Sequence, residues 1–122
     1  MQDFKHIKAW QRHALSIALH KRAVGWSRRG HGNLRSQLTA AAESIATNIV
    51  EGCGAATNKE FARFLDMSIK SANETEYHVL CTRDLDLLSL DEWQKYSTET
   101  VEIRKMIYAY RKKVLNSDRG AG

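Results

Sequence analysis

Basic side chains crowd the first 35 residues of this 122-residue chain. That segment holds eight Lys or Arg and one acid, a net charge of +7, whereas residues 36–122 carry a net charge of −2. Such an excess of cations favours an anionic partner such as the phosphates of a nucleic acid. A solvated basic face without any ligand is the alternative interpretation. The candidate phosphate-binding residues are Lys5, Lys8, Arg12, Arg22, Arg28, Arg29 and Arg35.

Three histidines, His6, His13 and His20, repeat every seven residues in the same segment. On a helix that rises about 1.5 Å per residue, this spacing separates neighbours by about 10 Å, too far to share one metal ion. The chain contains no His-x-x-x-His pair and no Glu-x-x-His motif of the di-metal bundles. We therefore expect neither a metal nor a cofactor.

Two further features concern catalysis. Glu76 falls within an apolar helical stripe, where a carboxylate must be paired or protonated. We expect a buried polar layer of Glu76 and Asn48, with Arg83, one heptad further along the helix, as the other candidate partner. No nucleophile or base stands at a spacing that matches Glu76. Gly52-Cys53-Gly54 has the look of a phosphate loop, but no Gly-Lys-Ser/Thr follows, and we interpret it as a helix end. The sequence predicts no enzyme.

The elements that position these residues are four amphipathic helices. Apolar residues recur at three- and four-residue steps in each, and the first stripe comprises Ile7, Trp10, Ala14, Ile17 and Val24. Capping boxes at Thr57–Glu60 and Ser89–Glu92 open the third and fourth helices. Short connections between four such helices predict an all-α, antiparallel up-down-up-down four-helix bundle over residues 1–116. Residues 117–122 are polar, and we expect a frayed C-terminal tail.

Several large apolar residues lie off these stripes. One bundle needs a single apolar stripe per helix. We expect a subunit interface to cover the additional ones, with incidental exposure as the alternative. The predicted interface residues are Leu15, Leu19, Trp26 and Tyr77.

Composition excludes several classes of protein. Hydrophobic residues make up 43% of the chain, which argues against general disorder, and no apolar run reaches the roughly 20 residues that span a bilayer. The N-terminus has no apolar signal region, and two cysteines are too few for a disulfide framework. We expect a cytoplasmic, reduced protein that does not enter the membrane.

Seven short blocks stand in a known order along the chain. They are Asp3–Lys5, Lys8–Gln11, Leu34–Leu38, Ala41–Ile45, Asn48–Gly52, Lys59–Leu65 and Glu74–Tyr77. In these blocks the chain resembles a small four-helix-bundle family whose members are encoded in intervening sequences of bacterial 23S rRNA genes. The chain departs from the family at Ala46-Thr47, where proline is usual, and at Gly25-Trp26, where Phe-Pro is common.

The resemblance implies a homopentamer, with five bundles arranged in a ring, and no established enzymatic activity. A more distant similarity is to the accessory protein of diversity-generating retroelements, a basic pentamer that binds a reverse transcriptase and nucleic acid. The partners we expect are other copies of the chain and RNA or DNA, bound through the basic N-terminal region. The alternative is a protein-binding scaffold or an accessory subunit of a nucleic-acid enzyme.

Overall fold

The computed structural model describes residues 3–121, with side chains up to residue 117. Over that part the chain is helical and contains no strand. The helices are α1 (Lys8–Gln11), α2 (Ala14–Arg22), α3 (Gly32–Gly52), α4 (Asn58–Asp84) and α5 (Leu90–Ala121). Short 3-10 turns at Phe4–His6 and Trp26–Arg29 complete the N-terminal part. The predicted helical bundle is confirmed, with α1 and α2 in place of the first predicted helix.

None of the helices in the described region is both long enough and apolar enough to cross a lipid bilayer. The predicted tail, residues 117–122, lies almost entirely outside the described side chains. The α5 backbone is helical through Ala121, beyond the predicted end of the bundle at residue 116.

Side-chain caps start α4 and α5 where the sequence predicts them. The hydroxyls of Thr57 and Ser89 accept hydrogen bonds from the backbone N–H groups of Glu60 and Glu92, each at 3.1 Å. The Glu92 carboxylate in turn accepts from the backbone N–H of Ser89 at 3.1 Å. Such reciprocal bonds satisfy donors that a helix start leaves unpaired.

The core is formed mainly by α3, α4 and α5, and their predicted stripes are buried. Ile49, Leu65 and Ile107 are fully excluded from solvent. The α3 backbone comes so close to side chains of α4 that a Cβ on Gly52 would lie 2.7 Å from the Phe61 ring. Glycine is therefore required at this position, and Cys53 beside it is buried and free.

The first predicted helix is broken at Arg12 and His13. There the backbone N–H groups of Arg12, His13, Leu15 and Ser16 all bond to the carbonyl three residues earlier. Such 3-10 bonds complete a turn in three residues instead of 3.6, so they rotate every following side chain about the helix axis. Residues before and after the break therefore do not share the face that a constant helical period across residues 7–24 predicts.

The predicted faces of this segment are consequently exchanged. Leu15, Leu19 and Trp26 are buried within the single chain, so the prediction that they form a subunit interface is wrong. Ile17 and Val24, which the first stripe placed in the core, are 49% and 69% exposed. Tyr77, the fourth predicted interface residue, is 61% exposed on α4.

Candidate nucleic-acid interface

The connection between α2 and α3 presents basic residues on a compact turn. Gly25 and Gly30 flank the Trp26–Arg29 turn with φ values of 94° and 86°, a backbone conformation that glycine adopts at little cost. Trp26 is buried, and its carbonyl accepts a hydrogen bond from the backbone N–H of His31 at 3.0 Å. The buried indole anchors the turn, so that its next residues project into solvent.

Four cations surround this turn. Arg28 and Arg29 are exposed on it, Lys21 is exposed near the end of α2, and Arg35 is half-buried in the first turn of α3. Within the described part of the chain, no carboxylate forms an ion pair with any of the four. We define these residues as the basic turn. Their charges are available to an anion from outside the chain.

Arg12, by contrast, is bound within the molecule. Its guanidinium donates to both oxygens of Glu99, at 2.6 and 2.8 Å, and to Glu102 at 3.1 Å. The hydrogen bonds to Glu99 are the main reason that the pKa of Arg12 is raised above its ordinary value. The pair connects the broken first helix to α5.

Arg22 makes a second such anchor. It donates to both carboxylate oxygens of Glu92 and, at 3.0 Å, to the carbonyl of Leu87. The hydrogen bond from Arg22 is the main cause that lowers the pKa of Glu92 to about 2. Arg12 and Arg22 were both predicted to bind phosphates, but α5 already neutralises them, so we remove both from the candidate set.

Lys5 and Lys8 are exposed at the other end of the N-terminal segment, away from the basic turn. The Lys5 ammonium lies 6.0 Å from the centre of the Phe4 ring, at the outer limit of a cation–π contact. The structure therefore does not bring all seven predicted cations together. Lys21, which the sequence prediction omitted, joins three of them.

The predicted buried polar layer of Asn48 and Glu76 is wrong, because these two residues have other partners. Asn48 is buried, but its amide donates to the Ser44 carbonyl and hydroxyl, at 2.9 and 3.1 Å. Glu76 is half-exposed and accepts from Arg104 at 2.7 Å. The core position is the neighbouring Thr75, whose hydroxyl donates to the carbonyl of Ser71. A satisfied threonine can occupy a core position, and a stripe drawn through apolar residues alone overlooks it.

The histidines are separately engaged. His13 stacks on Trp10 with ring centres 4.7 Å apart, His20 lies 3.7 Å from Glu43, and His6 lies 3.5 Å from Asp3. Among the described residues no three His, Cys, Asp or Glu side chains are grouped to hold a metal ion.

A cavity of about 390 Å³ lies at the far end of α3 from the basic turn. Phe61 and Tyr110 line it together with Cys53 and Lys113. Burial raises the pKa of the Cys53 thiol, which keeps it in the protonated form that is a poor nucleophile.

Comparison with known proteins identifies the family. Residues 5–109 match the model of the 23S rRNA-intervening sequence protein family. A solved structure from Bacteroides thetaiotaomicron, of a protein of unknown function from the S23 ribosomal protein family, superposes with a TM-score of 0.75. It is 23% identical, and the alignment covers 86% of this chain and 95% of that one. Among curated proteins, none matches. The chain belongs to the family of 23S rRNA-intervening sequence proteins.

Proposed function

We propose that this protein is a non-enzymatic, cytoplasmic homopentamer that binds RNA through the basic turn. The observation that carries the proposal is the division among its N-terminal cations. Arg12 and Arg22 are neutralised by α5, whereas Lys21, Arg28, Arg29 and Arg35 have no acidic partner in the described structure. No Asp or Glu occurs between residues 4 and 42.

Two cations on a compact turn, with one more on each flanking helix, favour contacts to the phosphate backbone. Such contacts position a nucleic acid without reading its bases, and each one makes affinity depend on salt. Trp26 is buried and cannot stack on a base. We therefore expect binding that shows little preference for base sequence.

The proposed assembly is an antiparallel bundle repeated five times in a ring. Cross-helix pairs support the antiparallel arrangement, because Arg12 and Arg22 meet Glu99 and Glu92, so that residue numbers rise from the end of α1 to the end of α2 as they fall on α5. The number five comes from the family resemblance. Five basic turns on one particle would convert weak individual contacts into useful avidity. Light scattering should give about five times the chain mass of 13.9 kDa, and a stable monomer would contradict the assembly.

The test of binding is a filter titration of a structured RNA at about 50 mM salt, where phosphate contacts are strong. Arg28→Glu with Arg29→Glu should weaken retention at least tenfold. Lys112→Glu with Lys113→Glu is the matched control, because both lysines are exposed and the change in charge is the same. The control should bind within about threefold of wild type. If wild type retains no RNA up to tens of micromolar, the RNA proposal fails and the scaffold alternative takes its place.

A further inference from the structure

Helix α2 and the turn after it carry an apolar stripe that none of the described residues covers. Ala14, Ile17, Lys21 and Val24 follow one another at steps of three, four and three residues, which places them on one face. All four are exposed. We call this face the α2 stripe. It is weakly apolar, with the ammonium of Lys21 in its middle.

A second apolar surface lies between α4 and α5. It is a groove of about 270 Å³, lined by Asn73, Glu76, Tyr77, Leu80, Trp93 and Ser97. The guanidinium of Arg83 lies 4.5 Å from the centre of the ring of Trp93, one of these lining residues. Leu90, one turn before Trp93 on α5, is 71% exposed, and we include it in this surface. We call it the α4–α5 groove.

The charges of the two surfaces are complementary. Lys21 has no acidic partner in the described structure, and α2 contains no acid at all. The connection between α4 and α5, next to the groove in sequence, is acidic, because Asp84, Asp86, Asp91 and Glu92 lie within nine residues of one another. Arg83 and Arg22 pair with Asp84 and Glu92. Over the described residues, Asp86 and Asp91 remain without an ion pair, and both are exposed.

The two surfaces also lie at the same height along the bundle but on different sides. Arg22 bonds to Leu87 and Glu92, so the end of α2 is level with the connection between α4 and α5. Helix α2 packs on α3 and α5, and its exposed stripe points away from both. Neighbouring copies related by rotation about an axis parallel to the bundle keep the same height. Such a rotation can therefore bring the α2 stripe of one copy against the α4–α5 groove of the next.

We propose that the α4–α5 groove of one copy receives the α2 stripe of the next copy. The contact sets Ile17 and Val24 against Tyr77, Trp93 and Leu90, with Lys21 opposite Asp86 and Asp91. In the assembled protein Lys21 therefore pairs with the next copy, and Arg28, Arg29 and Arg35 of the basic turn remain to bind RNA. It joins unlike surfaces, and a head-to-tail contact of this kind closes into a ring when its rotation allows. The inference rests on the self-assembly in the proposed function and names the surfaces that produce it.

Complementary variants test this contact. Ile17→Asp with Val24→Asp removes the stripe, and Tyr77→Asp with Leu90→Asp removes the groove. Each variant alone should scatter light as a single chain. Mixed in equal amounts they retain one intact contact per pair, and the mixture should have about twice the chain mass. Met67→Asp with Ala109→Asp is the matched control, since both residues are exposed outside the two surfaces, and it should keep the wild-type mass.

A charge exchange provides an independent readout that leaves the apolar residues intact. Lys21→Glu and Asp91→Lys should each lower the assembled fraction at low salt, and the two together should restore it. Circular dichroism of each variant should match the wild-type helix content.

The outcomes separate this inference from the assembly itself. A monomeric wild type would overturn both the pentamer and the contact. If wild type assembles while the stripe and groove variants keep its mass, or if their mixture stays at one chain mass, the contact is wrong and the assembly stands. If the mass of the mixture rises only after a different protein is added, the groove binds that protein, and the proposal that a second copy occupies it is wrong.

Discussion

The N-terminal arm, residues 3–31, and the three long helices hold their places by different means. Helices α3, α4 and α5 have 21, 27 and 32 residues and bury continuous stripes against one another. The arm has helices of only four and nine residues. Helices this short are not stable on their own. Leu15, Leu19 and Trp26 seat the arm in the core, while Arg12 and Arg22 attach it to α5. A short helix thus takes its register from tertiary anchors.

The largest effect should come from the buried face of the arm. Leu19 is fully buried, and Leu19→Ala should lower the free energy of unfolding by about 3 kcal/mol because it removes apolar contacts and leaves a cavity. Met67→Ala, at a position 41% exposed on α4, should change it by less than about 0.5 kcal/mol. Urea unfolding of both variants measures the difference. A loss below about 1 kcal/mol for Leu19→Ala would contradict the burial of Leu19 and favour the register predicted from the sequence, in which Leu19 faces away from the core.

The arginine anchors should have a smaller effect. Arg12 and Glu99 are each about one-third exposed, so solvent screens their attraction, but the bidentate geometry strengthens it. A double-mutant cycle with Arg12→Ala and Glu99→Ala should give a coupling of about 1 kcal/mol. Lys8, exposed and without an acidic partner in the described structure, is the control. Lys8→Ala should show no coupling to Glu99→Ala.

The second anchor predicts a dependence on pH. Since Arg22 lowers the pKa of Glu92 from 4.5 to about 2, the folded state holds this carboxylate ionised more strongly than the unfolded state does. Its stabilisation is complete above pH 4.5 and is lost as pH falls toward 2. The melting temperature of Glu92→Gln should therefore lie below that of wild type at pH 7 and approach it near pH 2. A difference that stays constant from pH 7 to pH 2 would show that the pair does not act in this way.

The difference between the two regions also marks what the sequence could predict. Thr57 and Ser89 predicted the starts of α4 and α5 correctly, because each cap is a contact between residues only three positions apart. The long stripes were predictable because a constant helical period holds over many turns. The break at Arg12–His13 was not predicted: neither proline nor glycine marks it, and the partners of Arg12 there, Glu99 and Glu102, come almost 90 residues later. Leu15, Leu19, Ala23 and Trp26 do form a regular stripe, and that signal was present in the sequence.

The sequence predicted which segment carries the candidate site, but not which of its basic residues are available to a ligand. Charge counting located the basic segment, yet it treats Arg22 and Arg28 alike, although one is bound to Glu92 and the other is free of acids in the described structure. Only the fold divides the arginines into anchors and available cations. The same limit applies to Glu76, whose partner Arg104 comes from another helix.

The salt dependence of RNA affinity tests this division most directly. Each phosphate contact contributes about 0.7 to 0.9 to the slope of log affinity against log salt concentration. Arg28→Gln with Arg29→Gln should therefore reduce the slope by about 1.4 to 1.8 and leave the melting temperature unchanged. Arg12→Gln should lower the melting temperature and leave the slope unchanged. If Arg12→Gln reduces the slope as much as the loop pair does, or if the loop pair leaves it unaltered, the division between anchoring and phosphate-binding arginines is contradicted.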